Sequence, residues 1–331
     1  MTDQQPVNIV ELAKQFRKAL EARDNKALNQ IIQAYGSMYQ RLQDKIKVLT
    51  LEIAGMENIS QASVRKLLSY KSLIREIEIQ LTDFKGFAKT TMQQAASDAV
   101  AMGVKNARLL TLASNPAVAA SFKNLNPGAI ENLISYFGSG SPLMARLEKL
   151  AGTNALNVAN TIIDNVALGN NPKTIAMLIQ DSLGGGLTDA LRMTRTVQIY
   201  SYREANRASY LANSDIVEGW YWYANLGANC CMSCVSMHGT FHTNDETLDD
   251  HHNGECTMLP KTIGSENPFT QSGEDWFKEQ PEAMQRQMMG DGKFEAWASE
   301  KFKFNQLSKE TENDVFGMMR TVTPLKELVG E

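Results

Sequence analysis

VEGWYWYANLGANCCMSCVSMHGTFHTNDETLDDHHNGECTMLP, residues 217–260, holds every cysteine and every histidine of a chain of 331 residues. Cys231-x2-Cys234 is followed after 16 residues by His251 and then by Cys256, a spacing close to that of closed tetrahedral zinc sites. The geometry behind the pattern is simple: two thiolates on a tight knuckle fill two corners, and a returning loop brings the second pair. Cys231, Cys234, His251 and Cys256 are therefore the expected metal ligands, with structural Zn(2+) as the cofactor. Cys230 competes with Cys231, and His252 with His251, because adjacent residues cannot share a corner. His238 and His242 are spare candidates. Four protein ligands leave no open position for water, so the site reads as structural, with no catalytic residues.

Other chemistries fit these residues less well. A redox CxxC leaves His251 and Cys256 without a role, and a disulfide framework belongs to small secreted chains. The polar start MTDQQPVNIV has the features of neither a secretory nor a mitochondrial leader, and no apolar run is long enough to span a bilayer. The expectation is a soluble chain made in a reducing cytoplasm, with no membrane partner. A zinc nucleobase deaminase needs HxE ahead of its PCxxC, and here CxxC comes first. Asp250-His251-His252-Asn253 invites comparison with HNH nucleases, but no histidine follows to complete that metal site. Nucleic-acid binding by the knuckle itself is disfavoured, since Asp245, Glu246, Asp249, Asp250 and Glu255 lie between Cys230 and Cys256 with no Lys or Arg.

Outward from the cluster, Val217 to Tyr223 are β-formers and predict a strand that delivers Cys231, while Cys256 to Pro260 predict a second strand leaving the metal. Upstream, the segment from Leu191 carries Arg192, Arg195, Arg203 and Arg207 on one helix, read as a solvated face or, less favoured, as a contact for DNA or an acidic partner. Glycine and proline clusters at Pro127-Gly128, 138–142, Gly152, 169–172 and Gly184–Gly186 predict loops between helices. Near the N-terminus, Ile31, Ile32, Tyr35, Met38, Leu42, Ile46, Leu49 and Ile53 form an amphipathic stripe. After a break at Gly55 and Asn58, Leu67, Tyr70, Ile74, Ile77, Leu81 and Phe84 recur by threes and fours, as in a helical hairpin or short coiled coil. Downstream, Gly273 to Phe277 and the segment from Pro281 to Gly290 predict two helices, and Phe294, Trp297 and Phe302 supply apolar side chains for a folded tail.

The expected fold is mainly α: a long N-terminal helical hairpin and a helical domain, a small β zinc knuckle, and a helical C-terminal tail. The expected divisions are 1–110, 116–215, 216–262 and 263–331. A net charge of −4 and pI near 5.7 speak against wholesale binding of nucleic acid or anionic membrane.

Arg195-Thr196, Arg203-Glu204-Ala205-Asn206, Val217-Glu218-Gly219-Trp220, Cys231, Cys234, His238-Gly239, His251, Asn253, Cys256-Thr257 and Pro260 together resemble the zinc-knuckle pattern of the phage head morphogenesis family. These are minor capsid proteins similar to protein F of phage Mu. The resemblance covers about residues 160–328. Val197 stands where the family usually has Glu, Glu255 where it has Arg or Lys, and Gly254 where many members have a cysteine. The resemblance implies a minor head protein of the virion, present in several copies around the portal vertex after assembly in the host bacterial cytoplasm. Its implied partners are the phage portal protein and capsid proteins, with packaged DNA as a further candidate, and it implies a role in capsid assembly or DNA packaging and delivery. Separately, the absence from the sequence of an open metal position, a nucleophile–base pair and a phosphate loop predicts no enzyme activity. The rival expectation is a DNA-contacting or ejected virion protein that uses the Arg195–Arg207 helix.

Overall fold

The computed structural model describes residues 8–56, 60–135, 172–251, 254–313 and 317–330. Asn58, Gly152, His252, Asn253, the expected loop at 138–142 and residues 169–171 of the one expected at 169–172 lie outside the described residues, while Pro172 is helical. The fold is mainly α, with small antiparallel sheets. In chain order the helices are α1 (Ile9–Ala54), α2 (Gln61–Lys66), α3 (Leu68–Ser114), α4 (Pro127–Ser135) and α5 (Pro172–Leu211). Then come β1 (Val217–Tyr223), α6 (Met232–Met237), β2 (Phe241–His242) and β3 (Thr257–Thr262). The tail holds α7 (Gly273–Lys278), α8 (Glu282–Met289), α9 (Asp291–Ala298), β4 (Ser308–Asn313), β5 (Gly317–Val322) and α10 (Leu325–Val329). No helix among the described residues is long and apolar enough to cross a membrane.

The chain divides into two compact units, and the division falls inside α1, α3 and α5. The first, Arg23–Ala95 with Phe137–Val197, is built on the N-terminal hairpin. Ile31, Met38, Leu42, Ile46, Leu49 and Ile53 of α1 pack against Tyr70, Leu73, Ile77, Leu81 and Phe84 of α3, with Ala190 of α5 in the same core. Cross-links between Arg41 and Gln80 (3.3 Å) and between Lys45 and Ser72 (3.2 Å) fix the two helices antiparallel. The three-four spacing of α3 thus serves a seam within the chain. Ile32 is exposed because a residue one step from the buried Ile31 is rotated about 100° off the stripe. Leu42 and Leu73 are fully buried. Leu42→Ala is expected to destabilise this unit by about 2–5 kcal/mol, seen as a lower urea midpoint with an unchanged zinc content.

Two expectations fail in these segments. Pro127-Gly128 opens α4 rather than a loop: proline occupies the first helical position, where its missing N–H costs nothing, and the Asn126 side chain accepts from the Ala129 amide at 2.8 Å. Gly184–Gly186 lie within the unbroken α5. Each interior glycine costs about 1 kcal/mol relative to alanine, and the packing of Leu187, Ala190, Leu191 and Met193 just beyond them offsets that.

The second unit, Met1–Ala22 with Ala96–Tyr136 and Gln198–Glu331, holds the cysteines. Its sheet has the order β2-β1-β3, all antiparallel, with Trp220 opposite Pro260 and Tyr223 opposite Thr257. Strand alternation sends Trp220 and Trp222 into one core with Tyr210, Met258, Cys234 and Cys256. Tyr221, Tyr223 and Leu259 face the other way, onto Ala13 and Leu110, flanked by Ile9, Val10, Leu12 and Phe16 of α1. The crossing of α3 and α5 is close enough that a Cβ at Gly103 would stand 2.6 Å from the Tyr202 carbonyl oxygen.

The expected tail helices form at Gly273–Lys278 and Glu282–Met289. The tail is not wholly helical, however: β4 and β5 pair as an antiparallel hairpin, Ser308 opposite Val322. Met232 and Val235 of α6 enter the tail's core with Phe277, Phe294, Phe304 and Leu307.

Candidate metal centre

Cys231 and Cys234 stand three positions apart at the start of a short helix and so share a face. Cys231 is the N-cap of α6, its Sγ accepting from the Cys234 amide at 3.3 Å, and the two sulfurs stand 3.2 Å apart. Met232 and Val235 of the same helix turn into the tail core, which fixes α6 against it. The returning chain then brings in the second pair. Cys231, Cys234 and His251 place their ligand atoms within 4.8 Å of one another, and so do Cys234, Asp250 and Cys256. Cys234 belongs to both groups. The four expected ligands line one cavity in two overlapping triads that share Cys234, and in the second a carboxylate that the sequence did not single out as a ligand stands beside Cys256.

The donor set suits a dication. Zinc thiolates stand about 3.8 Å apart if each Zn–S bond is about 2.3 Å, so a slight opening of the 3.2 Å pair accommodates one ion. Hydrogen bonding from Cys234, opposed by burial and helped by His251, lowers the Cys231 thiol to about 5. The neighbouring sulfurs of Cys230, Cys231 and Cys256 push Cys234 far above the ordinary thiol range, and burial pushes Cys256 up to about 11. One thiolate forms readily and the next are opposed by crowding and desolvation. A bound cation relieves that opposition by its own charge.

Asp250 and Arg203 hold this arrangement. The Asp250 Oδ1 accepts from the His251 amide at 2.8 Å and from Cys234 Sγ at 3.2 Å, while its Oδ2 accepts from the Cys256 amide at 3.2 Å. Arg203 Nη2 donates to the same Oδ2 at 2.9 Å and to the Gly254 carbonyl at 3.0 Å, and Arg203 Nε donates to the Cys256 carbonyl at 2.8 Å. Burial alone would raise the Asp250 carboxyl, but the Arg203 and His251 charges outweigh it and hold the group below the usual range. The two side chains are 8% and 1% exposed, so this is a buried ion pair with most of its hydrogen-bonding capacity met. Gly254 lies so close that a Cβ there would fall 2.0 Å from Asp250 Oδ2. No side chain fits at 254.

The arginines of α5 divide: Arg192 is exposed and Arg195 partly so, while the others turn inward or pair along the helix. Arg203 is spent inside the fold, Arg207 Nη2 pairs with Glu204 at 2.9 Å, and Arg195 Nε pairs with the buried Asp24 at 2.7 Å.

The spare histidines lie elsewhere. His238 is buried against Phe269 with its Nδ1 at 3.1 Å from the Ala224 carbonyl, and burial lowers its pKa to about 4. His242 stacks on Trp220 with ring centroids 4.4 Å apart and bonds Thr240 and Glu246. Both are packing residues. Cys230 lines the same cavity of about 330 Å³ as Cys231, Cys234, His251 and Cys256, but belongs to neither close group.

No protein-family model matches the chain, and no curated protein and no solved structure matches it.

Proposed function

We propose that the chain is a minor head protein of a bacteriophage, bound at the portal vertex, in which one structural zinc held by Cys231, Cys234, His251 and Cys256 fixes the knuckle for capsid assembly or DNA packaging and delivery. The observation that supports this reading most is convergence. Residues scattered over the motif that carries the resemblance, Arg203 on α5, Trp220 on β1 and the four ligands, gather around one partly buried cavity. Asp250 and Arg203 neutralise each other and hold the loop that carries Cys256, which suits a site that holds shape and performs no chemistry. The portal and capsid proteins are the proposed partners.

Two measurements on the full chain test the reading. Elemental analysis after purification without chelator is expected to give one zinc per chain, and co-expression with a portal protein of the same phage is expected to give a complex that survives size exclusion. Salt-dependent DNA binding without portal binding would instead favour the DNA-contacting or ejected role. Metal-dependent hydrolysis of DNA or peptidoglycan that vanished in a folded His251→Ala variant would overturn the non-enzymatic reading.

A further inference from the structure

The N-terminal helix reaches the metal centre. The Asn8 side chain accepts from the Val10 amide at 2.9 Å and from the Glu11 amide at 3.4 Å, setting where α1 begins. From there Ala13, flanked by Phe16, seats on the outer face of the sheet against Tyr221, Tyr223 and Leu259. One turn further, Arg17 Nη1 donates to the Glu255 carboxylate. With the Asn225 amide turned so that its oxygen faces the guanidinium, that oxygen accepts from Arg17 Nη2 at 2.9 Å and Nη1 at 3.0 Å. Arg17 is only 15% exposed in its side chain although its partner Glu255 is 54% exposed.

Its two partners are placed where spacing matters. Glu255 immediately precedes Cys256, and Asn225 lies on the loop that leads to Cys231. Both line the cavity that contains the ligands. One guanidinium therefore ties together the two loops that must keep a fixed separation for a tetrahedral ion to be held. Glu255 stands where the family resemblance puts a cation, and here the cation arrives from a helix more than 200 residues upstream.

We propose that Arg17 is a positioning residue of the metal centre, and that the first four turns of α1 act as its latch: docking of this helix slows metal release, and metal occupancy holds the helix down. The proposal rests on the metal reading given above. Linkage makes the coupling reciprocal, because whatever favours the docked helix in the metal-bound state must favour the metal in the docked state by the same factor. The Arg17–Glu255 bond is charge-assisted, and truncating one partner of such a bond leaves the other uncompensated.

The test uses the full chain loaded with Zn(2+), with release into a chromophoric chelator followed in time. Arg17→Met, which keeps much of the packing, is expected to speed release by about tenfold. Arg17→Glu is expected to speed it further, and Arg17→Glu combined with Glu255→Arg to restore much of the wild-type rate. A purely structural role for Arg17 would not give charge-swap rescue. In parallel, amide exchange over residues 9–22 is expected to accelerate on metal removal in the wild type. Wild-type protein that binds zinc with release rates unchanged in both single variants overturns the latch and leaves the metal site standing. Wild-type protein that binds no zinc overturns both.

Discussion

Arg203→Ala is expected to destabilise the cysteine-bearing unit by about 3–5 kcal/mol and to lower its zinc content. The cost follows from what remains behind. Asp250 is almost wholly enclosed, and without the guanidinium its carboxylate would sit beside metal-bound thiolates with no compensating charge. The Cys256 and Gly254 carbonyls would also lose their donor, which loosens the loop that delivers one ligand. Arg203→Lys should recover only part of the loss, because an ammonium cannot span a carboxylate and two carbonyls in one plane. Asp250→Asn tests the same pair from the other side: it leaves a buried arginine unpaired and should also be destabilising. Denaturant unfolding followed by tryptophan fluorescence reads these changes, since Trp220 and Trp222 lie in the core that contains Cys234 and Cys256. An Arg203→Ala variant with wild-type stability and full metal would show that the pair contributes nothing.

The second large effect concerns the metal. Structural zinc contributes on the order of 10 kcal/mol to a small knuckle, and the segment from β1 to β3 is expected to depend on a bound ion because its returning loop from Thr243 to Glu255 carries Leu248 as its one aliphatic residue. Cys234 belongs to both close groups, so Cys234→Ser is expected to abolish zinc binding, with Cys256→Ser close behind and Cys230→Ser nearly silent. Chelation should first raise proteolytic sensitivity at residues 225–256. Circular dichroism should change little, because the hairpin core of α1 and α3 is built from its own apolar stripes. Retention of full metal by Cys234→Ser would refute the assignment.

Periodicity made much of this legible. The stripes on α1 and α3, the aromatic run of β1 and the cysteine spacing each carry a local signal that needs no partner to be read. What escaped was long-range or context-dependent. Asp250 looks like one of several acids on a polar loop until Arg203 is brought beside it, and nothing at Arg17 announces that a loop more than 200 residues away will need a cation. Arg203 itself looked like surface because it recurs with other arginines, whereas the helix turns it inward. The hairpin of β4 and β5 was missed because SKETEN has no apolar alternation. Its strand is supported by cross-strand pairing, including Arg320 to Glu310 at 2.6 Å, and by Lys309 bonding Glu327 at 2.6 Å. The helix through Gly184–Gly186 shows packing overriding propensity.

The seat of α1 on the sheet also sets an order of events during synthesis. Residues 9–22 leave the ribosome some 200 residues before Tyr221, Tyr223 and Leu259, the surface that covers them. The hairpin of α1 and α3 closes over a short span and can form while translation continues, whereas the cysteine-bearing unit waits for a loop closure of some 200 residues. Until then Ile9, Phe16 and their neighbours remain exposed to water. Refolding of the whole chain is therefore expected to be biphasic, with helix signal recovered quickly and Trp220 fluorescence slowly, and residues 9–22 are the segment a chaperone would meet in the interval.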